Sequence, residues 1–102
     1  MGLKVYWTDT SIIRLEDIFD HYKFTAGVEV ARKIVDSIID ATLRLETQPR
    51  IGQREELLKE RTLEYRYLVQ GNYKIIYWIE EPFVKIATVF DCRQNPVKMG
   101  FL

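Results

Sequence analysis

Apolar and polar residues alternate most clearly between Leu63 and Ile79, in the run Leu-Glu-Tyr-Arg-Tyr-Leu-Val-Gln-Gly-Asn-Tyr-Lys-Ile-Ile-Tyr-Trp-Ile. Two stretches rich in β-branched and aromatic residues flank Gln70-Gly71-Asn72, where Gly or Asn supplies the positive φ of a tight turn. Two registers compete. A turn of Gly71-Asn72 alone pairs Leu68 with Ile75 and Tyr67 with Ile76, and mixes charge with hydrocarbon on each face. A loop of Gln70-Gly71-Asn72 pairs Tyr67 with Ile75 and Tyr65 with Tyr77. It gathers Leu63, Tyr65, Tyr67, Val69, Tyr73, Ile75, Tyr77 and Ile79 on one face, and leaves Glu64, Arg66, Gln70, Lys74 and Glu80 on the other. A one-residue slip moves every side chain to the opposite face, so the cleaner pattern predicts the longer loop.

A further strand, Phe83 to Asp91, follows Glu80-Glu81-Pro82. Joined by a loop from Glu80 to Phe83, it pairs Ile79 with Val84, Tyr77 with Ile86, Ile75 with Thr88 and Tyr73 with Phe90. Lys85, Ala87, Val89 and Asp91 then share the outer face with Lys74, Ile76 and Trp78. Upstream, Lys4 to Trp7 reads as a short strand ended by Thr8-Asp9-Thr10-Ser11, a cluster of helix N-cap residues. Ile12, Leu15, Ile18, Phe19 and Tyr22 form the stripe of an amphipathic helix, broken at Phe24-Thr25-Ala26-Gly27. Ala31, Ile34, Val35, Ile38, Ala41, Thr42 and Leu45 mark a second helix, which Pro49 stops by pushing Gln48 out of the α region. So short a connection makes the pair an antiparallel hairpin. Arg50 to Thr62 carries charges of both signs without periodicity and reads as a surface loop. Asn95-Pro96 ends the last strand, leaving a tail with Met99, Phe101 and Leu102.

The predicted architecture is α+β: an N-terminal strand, an antiparallel helical hairpin, and a three-stranded antiparallel meander packed on the helices, all in one domain spanning residues 1–102. The first strand joins one edge of the meander, and the pattern leaves both edges open. A chain of 102 residues with 47% hydrophobic content builds one core without staples. One Cys excludes an internal disulfide, a single His leaves no metal-ligand set, and no cofactor is expected. No leader and no apolar run of about 20 residues is visible, so a cytoplasmic, membrane-free location is expected. Fifteen cations balance 15 anions, so any site for a polyanion must be a local patch.

The order of these elements carries recognisable motifs: Gln48-Pro49-Arg50-Ile51-Gly52, Tyr65-Arg66-Tyr67-Leu68-Val69, Tyr73-Lys74-Ile75-Ile76-Tyr77 and Val89-Phe90-Asp91-Cys92-Arg93-Gln94-Asn95-Pro96. Together they resemble the RelE/ParE family of bacterial toxins, the toxin halves of type II toxin-antitoxin modules. That resemblance implies neutralisation by a small antitoxin that wraps the toxin. It implies one of two activities, ribosome-dependent mRNA cleavage or poisoning of DNA gyrase.

The same resemblance puts Arg66 where the nuclease branch has an arginine for the scissile phosphate, and Arg93 where it has a second basic residue. The structural alternatives are pairing of Arg66 with Glu64 or Glu80, and of Arg93 with Asp91. With Lys74 and Lys85 these arginines form an expected cationic strip for RNA, an acidic antitoxin segment or solvent. Trp78 stands beside it, to stack on a base or to pair with Lys85. RNA cleavage through the 2′-hydroxyl needs an acid and a base near neutrality, yet no His or Tyr follows Tyr77. His21 falls mid-helix as a surface residue, and Glu64 or Asp91 beside arginines is a weak base. The expected function is therefore a ParE-like growth inhibitor acting on a protein such as gyrase, with an mRNA endonuclease and an inactive antitoxin-binding module as alternatives. Leu68, Ile76, Trp78, Ala87 and Val89 leave apolar surface on the outer face, to be covered by the tail or by antitoxin.

Overall fold

The structure, a computed structural model, describes residues 2–94. Strand β1 (Lys4–Trp7) runs into Thr8, which has extended backbone angles and caps helix α1 (Asp9–Ala26) by accepting from the Ser11 N–H at 3.2 Å. The Phe24 to Ala26 stretch, expected to interrupt the helix, continues it, and Gly27 alone makes the break. Its φ of 101° is available to glycine at little cost, and its N–H closes α1 on the Tyr22 and Lys23 carbonyls. The Gly27 carbonyl accepts from Ala31 and so opens helix α2 (Val28–Leu43). A 3₁₀ turn, Arg44–Glu46, carries the chain on to Leu45, which is fully buried.

The sheet has the order β1-β5-β4-β3-β2, with β2 (Gln53–Arg54), β3 (Arg66–Gln70), β4 (Tyr73–Glu80) and β5 (Phe83–Asp91). β1 lies parallel to β5, which decides the edge left open above, and β5, β4 and β3 form the expected antiparallel meander. The hairpin register is the one rejected from the sequence. Gly71 and Asn72 alone turn the chain, with Gly71 at φ 59°, and Leu68 pairs with Ile75 and Tyr67 with Ile76. Glycine at the first of two turn residues suits the right-handed twist of the flanking strands.

The consequence is a swap of faces on β3. Leu68 lies under the helices with Tyr73, Ile75 and Tyr77, whereas Tyr65 and Tyr67 pack on the outer side with Ile76 and Trp78. The clean alternation misled because it assumed one dry face and one wet face. Ile75 and Ile76, adjacent and on opposite faces, are both 0% exposed. A strand covered on both sides reads as a continuous apolar run and gives alternation nothing to register.

Between β4 and β5 the expected pairs Ile79–Val84 and Tyr77–Ile86 are present. A bulge at Ala87 then shifts the rest, so that Ile75 meets Val89 and Tyr73 meets Asp91. Val89 therefore turns into the helix-side core and Phe90 outward, reversing their expected sides. Thr8 serves both structures here: its hydroxyl lies 2.7 Å from the Ile86 carbonyl and 3.2 Å from that of Ala87 while it caps α1.

The stretch from Arg50 to Thr62 is not the plain surface loop expected. It contributes β2 to the sheet edge, then a 3₁₀ turn, Glu56–Leu58, that crosses the outer face. Leu58 is 3% exposed and clusters with Ile76 and Ala87, so this strap supplies a cover that the sequence reading sought in the tail or a partner. Met99, Phe101 and Leu102 of the tail, and Asn95-Pro96, lie outside the described residues.

Candidate functional site

Arg66 opens β3 opposite Tyr77 and turns toward the start of the strap. Its Nη1 donates to the Gly52 carbonyl at 2.9 Å and its Nη2 lies 3.1 Å from Glu64 Oε2. The side chain is 18% exposed, and Nε is buried with no acceptor among the described residues. Beside it the Tyr77 hydroxyl donates to the Pro49 carbonyl at 2.8 Å and accepts from the Gly52 N–H at 3.0 Å. Two side chains of the sheet thus pin one backbone turn. Only glycine fits at position 52, because a Cβ there would meet the Tyr77 hydroxyl and stand 2.7 Å from the Tyr67 carbonyl. Burial raises the Tyr77 pKa, opposed by the Gly52 N–H and by the charges of Arg66 and Arg50, so the hydroxyl remains a neutral donor.

Lys74, Trp78 and Lys85 lie on the outer face. Lys74 Nζ is 2.9 Å from Glu55 Oε2 and 4.3 Å from the centre of the Tyr67 ring. Lys85 Nζ lies 2.6 Å from Glu80 Oε2, and the Trp78 Nε1–H donates to the other oxygen of that carboxylate at 3.3 Å. These two donors, Lys85 first, hold Glu80 below the ordinary carboxylate range. Lys85 and Trp78 are cross-strand neighbours joined through Glu80; the ring under Lys85 is Tyr6, at 5.5 Å, rather than Trp78. Trp78 meets Tyr65 edge-on with ring centres 5.9 Å apart.

Arg93 follows β5 and grips Asp91 with both ends of its guanidinium, at 3.0 and 2.9 Å. That grip holds Asp91 below the usual range, and Asp91 together with the Tyr22 hydroxyl keeps Arg93 firmly charged. Tyr73 lies next to them, its hydroxyl 3.4 Å from that of Tyr22 and its pKa raised by burial and by that neighbour. This cluster is on the helix side. His21 is exposed, edge-on to Tyr22.

The expected strip of four cations is therefore not one surface. Lys74 and Lys85 lie outside; Arg66 and Arg93 lie on the helix side, near Tyr77 and Tyr73, toward opposite ends of β4. Two proposed bases are paired as well, Glu64 with Arg66 and Asp91 with Arg93. A cleft of about 340 Å³ brings Arg66 and Trp78 together at the end of β4, with Arg50, Glu64 and Glu81 in its walls. Two arginines face two glutamates there, so the lining carries no net positive charge. Among the described residues no His, Cys, Asp or Glu cluster is placed to hold a metal ion, and no helix is long and apolar enough to cross a membrane.

The strap and its anchor leave little mark on the hydrophobic pattern. Glu55 is 4% exposed yet reads as one more charge in a charged stretch. The available signal was Leu58, an apolar residue three positions after that carboxylate.

A helical hairpin laid on one face of a mixed sheet that ends in an antiparallel meander defines the RelE/ParE-like α+β toxin fold. The sequence model for the ParE toxin of the type II toxin-antitoxin system parDE matches residues 5–96, and the chain belongs to that family. Among solved structures it is similar to a chain of the chromosomal ParDE system from P. aeruginosa, with 21% identity, 88% of this chain and 96% of that one covered, and a TM-score of 0.73. It is also similar to a chain of the RelBE2 toxin-antitoxin complex from Mycobacterium tuberculosis, with 19% identity, 89% and 99% covered, and a TM-score of 0.64. No curated protein sequence matches it.

Proposed function

We propose that this chain is the toxin of a type II module, neutralised by a small cognate antitoxin, and that it arrests growth by binding a protein such as DNA gyrase rather than by cutting mRNA. The observation that carries this reading is the engagement of the candidate phosphate binders. Arg66, Lys74, Lys85 and Arg93 each hold a carboxylate within 3.1 Å, on Glu64, Glu55, Glu80 and Asp91. A phosphodiester would have to displace those partners, and the carboxylates beside the four cations are themselves held in ion pairs rather than placed as a free acid and base. The tyrosines near the arginines, Tyr73 and Tyr77, have raised pKa values and their hydroxyls are hydrogen-bonded internally. The outer face suits a protein partner better: Tyr65, Tyr67, Trp78 and Phe90 lie half-buried around its centre, the kind of rigid aromatic surface that anchors interfaces. We assign antitoxin docking to this face, through contact of its apolar residues with the aromatic surface and with an acidic residue replacing Glu55 on Lys74.

Induced expression, read separately for translation and for the DNA-damage response, tests the proposal. Arrest with DNA damage, relieved by co-expressed antitoxin, is expected. Rapid transcript cleavage that is lost in a folded Arg66→Ala chain would establish the endonuclease instead. Healthy growth at high levels of folded protein would leave only an antitoxin-binding module.

A further inference from the structure

The centre of the outer face is occupied by the chain itself, through a very small piece of it. In the 3₁₀ turn after β2, residues three apart eclipse, so Glu55 and Leu58 point to the same side. Glu55 reaches Lys74 at 2.9 Å, and Leu58 enters the cluster of Ile76 and Ala87. The residues between them turn away; Glu56 and Leu57 are exposed, Leu57 by 58%. The turn is held by the Glu55 N–H on the Tyr65 carbonyl and by Glu55 Oε1 accepting from Leu57. Every residue from Lys59 to Glu64 is then exposed, and none of them belongs to a strand. Tyr65, Tyr67, Trp78 and Phe90 surround Leu58 without being fully covered by it. A turn this short has no stability of its own.

We infer that the strap is an internal pseudo-ligand. Lys74, the Ile76–Ala87 floor and the aromatic rim form a recognition site for a carboxylate followed three residues later by a leucine-sized side chain. The partner that binds here is an acidic segment with that spacing, which displaces Glu55 and Leu58 and gains the rim that the strap leaves open. Naming the antitoxin as the source of the segment rests on the toxin reading above; the site and its specificity do not. A closed strap lowers the apparent affinity for such a segment by the fraction of molecules in which it is open.

The probe is the strap itself as a free peptide, Gln-Arg-Glu-Glu-Leu-Leu-Lys-Glu, residues 53–60. Calorimetric titration should show it binding the full-length Glu55→Gln/Leu58→Ala chain at least about tenfold more tightly than the unaltered chain. Adding Lys74→Met to that variant should abolish the gain. Equal binding to both chains, or a gain that survives Lys74→Met, overturns the inference. Hydrogen exchange on the same samples should rise at residues 55–58 and stay slow in β4 and β5. Should the freed variant not fold, Glu55→Lys/Lys74→Glu retains an ion pair with reversed sign. That chain must prefer a peptide with Lys at its third position over the strap sequence, and indifference between the two overturns the inference equally. These titrations contain no antitoxin, so their failure is distinct from failure of antitoxin to relieve growth arrest.

Discussion

The two faces of the sheet are equally dry at their centres and are made so by different means. The helix side buries Ile75, Tyr77, Val84 and Ile86 against Ile38 and Leu45, all at 1% exposure or less, beneath two helices of 18 and 16 residues. Each such side chain contributes about 1.5–3 kcal/mol of burial. The strap side reaches the same dryness at Ile76 with a single 3₁₀ turn, whose leucine and ion pair close a rim of Tyr65, Tyr67, Trp78 and Phe90. Helices distribute the cover over many residues; on the strap side the part that comes from outside the sheet is two side chains, Glu55 and Leu58. If the strap is displaceable as inferred, hydrogen exchange at residues 55–58 should outpace that of the helix-side core.

Breaking the helix side should have the largest effect. Tyr77→Ala removes a fully buried ring and the hydroxyl that pins Pro49 and Gly52, and should cost about 3–5 kcal/mol in a urea denaturation at pH 7. A loss below about 1 kcal/mol would mean that this core repacks freely. On the strap side, Lys74→Met strands the buried Glu55 carboxylate and should cost about 3 kcal/mol. Adding Glu55→Leu should return most of that loss, since an apolar pair of similar size replaces a buried ion pair at little cost. If the double variant is no better than the single one, the strap is not held by its charges.

Gly52→Ala tests the hinge between the two sides. Its Cβ would press on Tyr77 and the Tyr67 carbonyl, and about 1–3 kcal/mol should be lost, with faster exchange in β2 before β4. The smallest effect concerns pH. Arg93 depresses the Asp91 pKa, so the stability this pair contributes is present above the ordinary aspartate value of about 3.9 and is lost as pH falls through the lowered one. Arg93→Ala should therefore be less stable than the parent at pH 7, with the gap narrowing as pH falls below about 3.9. A gap that stays constant over that range would show that Arg93 acts by packing rather than by charge.

Periodicity made the helices legible, because a stripe at helical spacing has one solution once a cap and a break are placed. Thr8 and Gly27 supplied both, although the break is narrower than the Phe24 to Gly27 stretch suggested. The end of β4 was equally legible, since Ile79 and Val84 are paired as expected across the Glu81-Pro82 turn. Of the candidate site, the pairing of Arg66 with Glu64 and of Arg93 with Asp91 could be foreseen from neighbours in the chain. The Lys74–Glu55 pair could not, because 19 residues separate its partners and only the strap's path brings them together.

What the amino-acid sequence determined by itself is local: the two helices with their cap and break, the first strand, and the three strands of the meander in their order, but not the short strand and 3₁₀ turn of the strap. The register of β3, the sides taken by Val89 and Phe90, and the division of the cations between two faces were decided by the tertiary structure. The physical reason is the same in each case. Alternation reports a face only when the other face is wet, and here a charged, aperiodic strap keeps the second face dry through Leu58 and a buried carboxylate. Hydrophobic pattern in one segment carries no record of a cover that arrives from elsewhere in the chain.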